Sequence, residues 1–184
     1  LTATFTWLIN SPAFAVGIAA TACISRAVGE ENIDETHAYS AQAVKISLIL
    51  GVCMTLFTLG ISPFLPTWLG AEPAIRSDAG IYFALICAPY LFNAINIVFG
   101  AILRGAGDTR TAMQVNLLIN VIHILLNYLF IYETRQVSLL GLSFPMFGLG
   151  WGVAGAGIST AISYVLGGVL MISALRRHPL FSFR

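Results

Sequence analysis

Charge is scarce in this sequence. Nine lysines and arginines and eight aspartates and glutamates make 9% of its 184 residues, where a soluble domain carries about a quarter. The deficit excludes an ordinary soluble domain, and the absence of any basic run excludes nucleic acid as an expected partner. Cysteine is nearly absent too. Cys23, Cys53 and Cys87 form no Cys-x-x-Cys pair, so neither a disulfide framework nor a thiolate metal site is expected, and all three read as small buried residues. The sequence lacks an initiator Met, and its opening apolar run has no charged segment before it, so a signal peptide does not fit. It reads as a piece of a longer protein.

What is present is long apolar runs, with 58% hydrophobic residues and a mean hydropathy of +0.86. Five runs stand out, at residues 1–25, 42–61, 81–103, 111–132 and 151–175. A helix needs about 20 apolar residues to cross a ~30 Å hydrocarbon core. The runs are too long and too unalternating for barrel strands, so helices are expected, whose backbone groups are satisfied within each span. Every carboxylate lies between the runs, as hydrocarbon demands. The fold expected is all-α, a polytopic bundle of five membrane helices.

Lysines and arginines set the orientation. Arg26, Lys45, Arg104, Arg110, Arg176, Arg177 and Arg184 fall on one side of the five spans, and Arg76 and Arg135 on the other. By the positive-inside rule the first group is cytoplasmic. The first residue then lies outside, so a further span is expected upstream.

Punctuation between and within the runs is legible in places. Gly29 is placed to end the first helix in the left-handed conformation, and residues 30–37 read as a short acidic surface loop. The second run is expected to face lipid on much of its surface. It ends where Pro63 and Pro66 prevent continuation, and Trp68 suits the interfacial belt. Pro89 lies inside the third run and marks a kink. Residues 133–150 are mixed in character; an interfacial segment near 139–147 and an irregular loop both fit. In the last run Gly152, Ala156, Ser159 or Thr160, Ser163 and Gly167 share a face, an arrangement that lets helices approach closely.

The fourth run holds the candidate site. Asn116, Asn120, His123 and Asn127 recur at helical spacing and form one stripe. Polar groups at membrane depth need partners, so the stripe is expected to face the bundle interior or water. It serves either as helix–helix glue or as the wall of an ion or substrate pathway. His123 is the one ionisable group well inside a run, and an imidazole changes charge between pH 5 and 8. No Ser–His–Asp, Cys–His or paired-carboxylate arrangement appears within the runs, nor any metal-ligand spacing, so neither enzyme chemistry nor a cofactor or metal is expected.

Before the stripe stands the connection Arg104-Gly105-Ala106-Gly107-Asp108-Thr109-Arg110. It lacks the third glycine of a dinucleotide loop and the Gly-Lys-Ser/Thr of a phosphate loop. Mechanically it suits a tight turn. Arg104 favours the C-terminal end of one helix, Gly105 can stop it, and Asp108 or Thr109 can cap the next.

The wording Ile102-Leu103-Arg104-Gly105-Ala106-Gly107-Asp108-Thr109-Arg110-Thr111-Ala112-Met113 resembles the loop between the fourth and fifth helices of multidrug and toxic compound extrusion (MATE) transporters, with Ala112 where Pro is usual. Asn120–Tyr128 is similar to that family's fifth helix, Gly152–Thr160 to the start of its sixth, and Ile24–Gly29 to the end of its second. The resemblance implies helices two to six of the N-terminal half of a twelve-helix antiporter in a plasma membrane, of the bacterial inner-membrane type. It would export cationic or amphipathic organic compounds in exchange for H⁺ or Na⁺, with the bilayer and the remaining helices as its partners. It also implies that His123, Asn127 and Thr160, beside Asn120, line the ion and substrate pathway. Two departures stand out: the first helix with its Asp is absent, and His123 stands where Asn is more usual. A lipid-linked oligosaccharide flippase of the same superfold and a non-transporting assembly subunit are the alternatives.

Overall fold

The computed structural model describes residues 2–68, 70, 72, 76–139 and 142–181. Its elements in chain order are α1 (Thr2–Gly29), α2 (Ile33–Ile61), the short α3 (Leu65–Trp68), α4 (Arg76–Cys87), α5 (Tyr90–Gly105), α6 (Thr109–Ile131), strands β1 (Glu133–Leu139) and β2 (Leu142–Leu149), and α7 (Gly152–Arg177). Among the described residues four helices are long and apolar enough to cross a bilayer, and five spans result if α4 and α5 are counted together. The all-α membrane bundle expected from the apolar runs is what the chain forms.

The third run is not one kinked helix. Pro89 cannot donate a backbone hydrogen bond, and α4 and α5 meet at a 48° bend. The break is held from outside: the Leu91 N–H, left without a helical partner, donates to Thr55 Oγ1 of α2 at 3.1 Å. Pro12 in α1 is accommodated differently. The Leu8 carbonyl that it leaves unpaired accepts from the Ser11 hydroxyl at 3.0 Å, and α1 runs on unbroken.

Helix α5 is the hub. It packs against α1, α2 and α7, and Ile95, Val98, Phe99, Ile102 and Leu103 form a core with Ile24 of α1 and Met171 of α7. Small residues permit this. A Cβ on Gly105 would sit 3.0 Å from Ile24 Cβ, and one on Gly168 would sit 2.9 Å from the Phe92 carbonyl oxygen. Thr21 of α1 adds a hydrogen bond to the Ala101 carbonyl at 3.1 Å. The outer face of α2, including Ile49, Leu56 and Phe57, is left exposed, as a lipid-facing surface requires.

The two turns on the Arg26 and Arg104 side share one design. After α5, Asp108 N–H donates to the Leu103 carbonyl and Gly107 N–H to the Arg104 carbonyl, with Gly107 at φ +87°. This is a Schellman motif, and its left-handed residue is Gly107. Gly105 is instead the last helical residue, kept small by its approach to α1. After α1, Asn32 N–H donates to Ala27 and Glu31 N–H to Val28. The left-handed residue there is Glu31, at φ 54°, and Gly29 stays helical. In both turns the residue that closes the motif also caps the next helix. Asn32 Oδ1 accepts from Glu35 N–H at 3.1 Å, and Asp108 Oδ1 accepts from Thr111 N–H at 3.0 Å.

The Asn32 cap corrects the expected acidic loop at 30–37. α2 begins at Ile33, nine residues before the apolar run, with Asp34 and Glu35 in its first turn, where carboxylates favour the helix dipole. The stretch after α6 is also corrected. No irregular loop forms: β1 and β2 make an antiparallel hairpin pairing Val137 with Phe144 and Leu139 with Leu142, and residues 140–141 of the expected 139–147 segment lie outside the described residues. Its base is stitched by Gly150 N–H to the Tyr132 carbonyl and Trp151 N–H to the Phe130 carbonyl, both at 2.9 Å. Cys23 and Cys53 are exposed, and Cys87 alone of the three cysteines is buried.

Candidate functional site

The site is built on the seam between α6 and α7. Asp108 starts α6: the Thr111 hydroxyl and N–H bond its carboxylate and hold it below the usual carboxylate range. From there His123 lies four turns along the helix and Asn127 one turn further. Across the seam, α7 presents Gly155, Ser159, Ser163 and Gly167 as buried residues. Gly152 and Ala156, expected on this face, are not among them; Gly155 takes that place. The small residues draw α7 against α6, and the hydroxyls then reach the α6 side chains.

Two cross-seam pairs result. His123 Nε2 lies 3.3 Å from Thr160 Oγ1, and Ser159 Oγ donates to Asn127 Oδ1. The Thr160 hydroxyl also donates into its own helix, to the Ala156 carbonyl at 2.8 Å, and the single Ser159 proton is shared between Asn127 Oδ1 and that same carbonyl, 2.9 Å away. Ser159 is fully buried, whereas His123, Asn127 and Thr160 are each half-covered. The open sides leave an imidazole, an amide and a hydroxyl able to exchange a proton or to supply oxygen and nitrogen contacts to a ligand.

Of the residues singled out by sequence, the structure brings together His123, Asn127 and Thr160. Asn120 does not join them. Its amide folds back onto the Asn116 carbonyl of its own helix at 2.9 Å, and it is exposed. Arg104, Gly105, Gly107, Asp108, Thr109 and Arg110 form the turn that leads into α6, remote from the seam along the helix. Ser159 enters as the partner of Asn127. Two further polar contacts continue across the bundle: Asn96 Nδ2 of α5 to Asn116 Oδ1 at 3.4 Å, and Asn93 Nδ2 to Asn10 Oδ1 of α1 at 2.7 Å. The three- and four-residue spacing of Asn93, Asn96 and Gly100 was the available signal for them. The Asn96 oxygen is buried without a partner among the described residues.

Apolar helices of spanning length, close-packed through small residues and carrying amide, imidazole and hydroxyl groups in their seams, define a multi-pass membrane protein. The MatE family model matches residues 1–129. The chain belongs to the MatE family. It is 29% identical over 178 residues to the probable multidrug resistance protein NorM of Thermotoga maritima, spanning 97% of this chain and 36% of that protein. To the probable NorM of Acinetobacter baylyi it is 28% identical over 152 residues, covering 80% of this chain and 30% of that protein. Among solved structures, the inward-facing conformation of a multidrug resistance MATE family transporter of the MOP superfamily superposes with a TM-score of 0.79 at 27% identity, over 93% of this chain and 36% of the other. A MOP superfamily transporter from Pyrococcus furiosus, whose reverse polarity of binding pocket suggests a different function, superposes at 0.77 with 27% identity, over 93% and 35%. The chain therefore spans about a third of the length of the relatives it matches.

Proposed function

We propose that this chain forms most of the N-terminal lobe of a secondary antiporter, which exports cationic or amphipathic organic compounds in exchange for H⁺ or Na⁺. The observation that carries the reading is the α6–α7 seam, where His123 faces Thr160 and Asn127 faces Ser159 with their outer sides uncovered. Two relatives named as multidrug resistance proteins support the substrate class. In this reading His123 holds or releases the exchanged proton, or lends its ring nitrogen to the substrate, and Thr160 orients the imidazole. Asn127, held by Ser159, supplies an amide to the same path. The excess of arginine and lysine on that side supports a cytoplasmic Arg104–Thr111 turn and a cytoplasmic end of α7, in a plasma membrane that this reading takes to be of the bacterial inner-membrane type. The rest of the full-length protein supplies the opposing lobe and any carboxylate.

The test is ion-gradient-driven efflux by the full-length protein carrying His123→Ala or Asn127→Ala. Loss of a helix-gluing hydrogen bond costs about 0.6 kcal/mol on average, which is about a threefold effect. A fall of tenfold or more with normal membrane expression supports the pathway role; unchanged transport and pH dependence in both variants refutes it. One observation favours a second reading, transport of a phosphate-bearing lipid. Arg104 lines a cleft between α1 and α5. A single arginine at one end of the bundle supports that reading less than the uncharged seam supports the first.

A further inference from the structure

A cleft of about 370 Å³ opens between α1 and α5, lined by Phe14, Gly17, Ile18, Thr21, Ile97 and Arg104 among others. Gly17 lets the two helices meet at its floor, where a Cβ would sit 3.3 Å from Ala101 Cβ. Ile18, 72% exposed, stands on its open side. The cleft is apolar along its length except at the Arg104 end.

Arg104 does not extend away from the helices. Helical side chains lean toward the helix N-terminus, and its Nη1 lies back over Gly100, 3.3 Å from where a Cβ would be. The guanidinium is therefore about one turn inside the end of α5. It has no ion pair among the described residues. The salt bridge on this side joins Arg26 to Glu30 at 3.0 Å, and the Asp108 carboxylate accepts from Thr111. A guanidinium turned toward the membrane interior is satisfied by an anion, a backbone carbonyl or water, and Arg104 is exposed, so its surface is open to a partner from outside these helices.

We infer that this cleft binds an anionic phospholipid, with the phosphate on Arg104 and an acyl chain running past Ile97 toward Phe14. The polarity of the cleft selects this occupant. Its cation stands where headgroups of the Arg104-side leaflet lie, and its apolar length runs from there toward the membrane centre, the direction of an acyl chain. A protein helix in the same place needs no cation at that end. The inference stands on the cleft and on Arg104, not on the α6–α7 seam, and it holds whether or not His123 takes part in transport.

The experiment is native mass spectrometry of the full-length protein in detergent, titrated separately with phosphatidylglycerol and phosphatidylcholine. Wild type is expected to bind phosphatidylglycerol about fivefold more tightly, the value of one basic side chain near an anionic lipid surface. Arg104→Gln removes that preference, and Arg104→Lys retains most of it. Ile18→Trp, which fills the open side, weakens both lipids alike. Equal affinity of wild type for the two lipids, or an unaltered preference in Arg104→Gln, overturns the site. So does an Ile18→Cys protein, made in a Cys23→Ser/Cys53→Ser background because both native thiols are exposed, that resists an apolar maleimide in lipid-free detergent, because other protein then fills the cleft. Efflux by wild type is measured in parallel: no phosphatidylglycerol preference with normal efflux refutes this inference alone, and the His123 variants test the transport reading separately.

Discussion

Helix α5 has 16 residues and buries eleven of them, whereas α6 has 23 and buries only Ala112. Both belong to the same apolar bundle and are joined by one tight turn. Helix α5 is surrounded by α1, α2 and α7 and meets them at glycines where a Cβ would crowd the neighbouring helix. Helix α6 leans mainly on α7 and shows Met113, Leu117, Ile124 and Leu125 outward. What α6 carries instead is polar groups set at its one packed seam. One helix is the packed centre of the bundle, and the other is the one on which the proposed pathway residues stand.

The division predicts different failures. The largest effect is expected at the hub. Gly168→Leu drives a side chain into Phe92 and should cost several kcal/mol of overpacking and backbone shift, read as loss of monodisperse full-length protein. Leu117→Ala, on the exposed face of α6, should stay within about 0.5 kcal/mol. Equal damage from both would erase the distinction.

Next comes Asn127→Ala, which leaves Ser159 fully buried without its cross-seam acceptor. It should cut efflux at least tenfold while lowering stability by no more than about 1 kcal/mol, since the Ser159 hydroxyl keeps the Ala156 carbonyl. A stability loss large enough to account for the transport loss would make the seam scaffold like α5.

Smaller effects separate the two turns. Asp108→Ala removes the cap of α6 and should cost about 1 kcal/mol, measured by thermal unfolding in detergent. Because hydrogen bonds from Thr111 lower the Asp108 pKa, the cap's contribution is fully present above the ordinary carboxylate value. It fades only as the pH falls through the lower folded value, so the difference between wild type and Asp108→Ala should be constant from pH 5 to pH 8. Glu31→Gly should act in the opposite direction. It relieves a left-handed non-glycine residue and should stabilise by about 1 kcal/mol; no gain would show that the Glu31 side chain compensates its backbone.

How much of this the sequence disclosed depends on the kind of signal. Spans were legible because hydrocarbon leaves apolar runs no alternative, and the Asp108 cap was legible because its contacts are local. The start of α2 was hidden by composition: Ile33–Gln42 is polar enough to read as a loop, and only the Asn32 cap reveals its helical state. Pro89 announced a bend but not a full break, because the partner that stabilises the break, Thr55, lies 36 residues away on another helix. The hairpin was hidden because its pairing is set between strands rather than within either one. At the seam, His123 and Asn127 were visible from spacing. Whether Asn127 would meet Ser159 or Thr160 depends on the rotation of α7 about its axis, which its many small residues leave open in the sequence. Asn120 stands outside the seam for a related reason: it shares the stripe, but α7 covers only part of that face, and its amide turns to the Asn116 carbonyl.

The most direct test of the division between hub and pathway is paired measurement of efflux and unfolding temperature on the full-length protein with His123→Ala, reconstituted in vesicles under an imposed ion gradient. The expected result is transport reduced at least tenfold with an unfolding temperature within a few degrees of wild type. Unchanged transport, or a loss matched by a collapse of stability, would contradict the account.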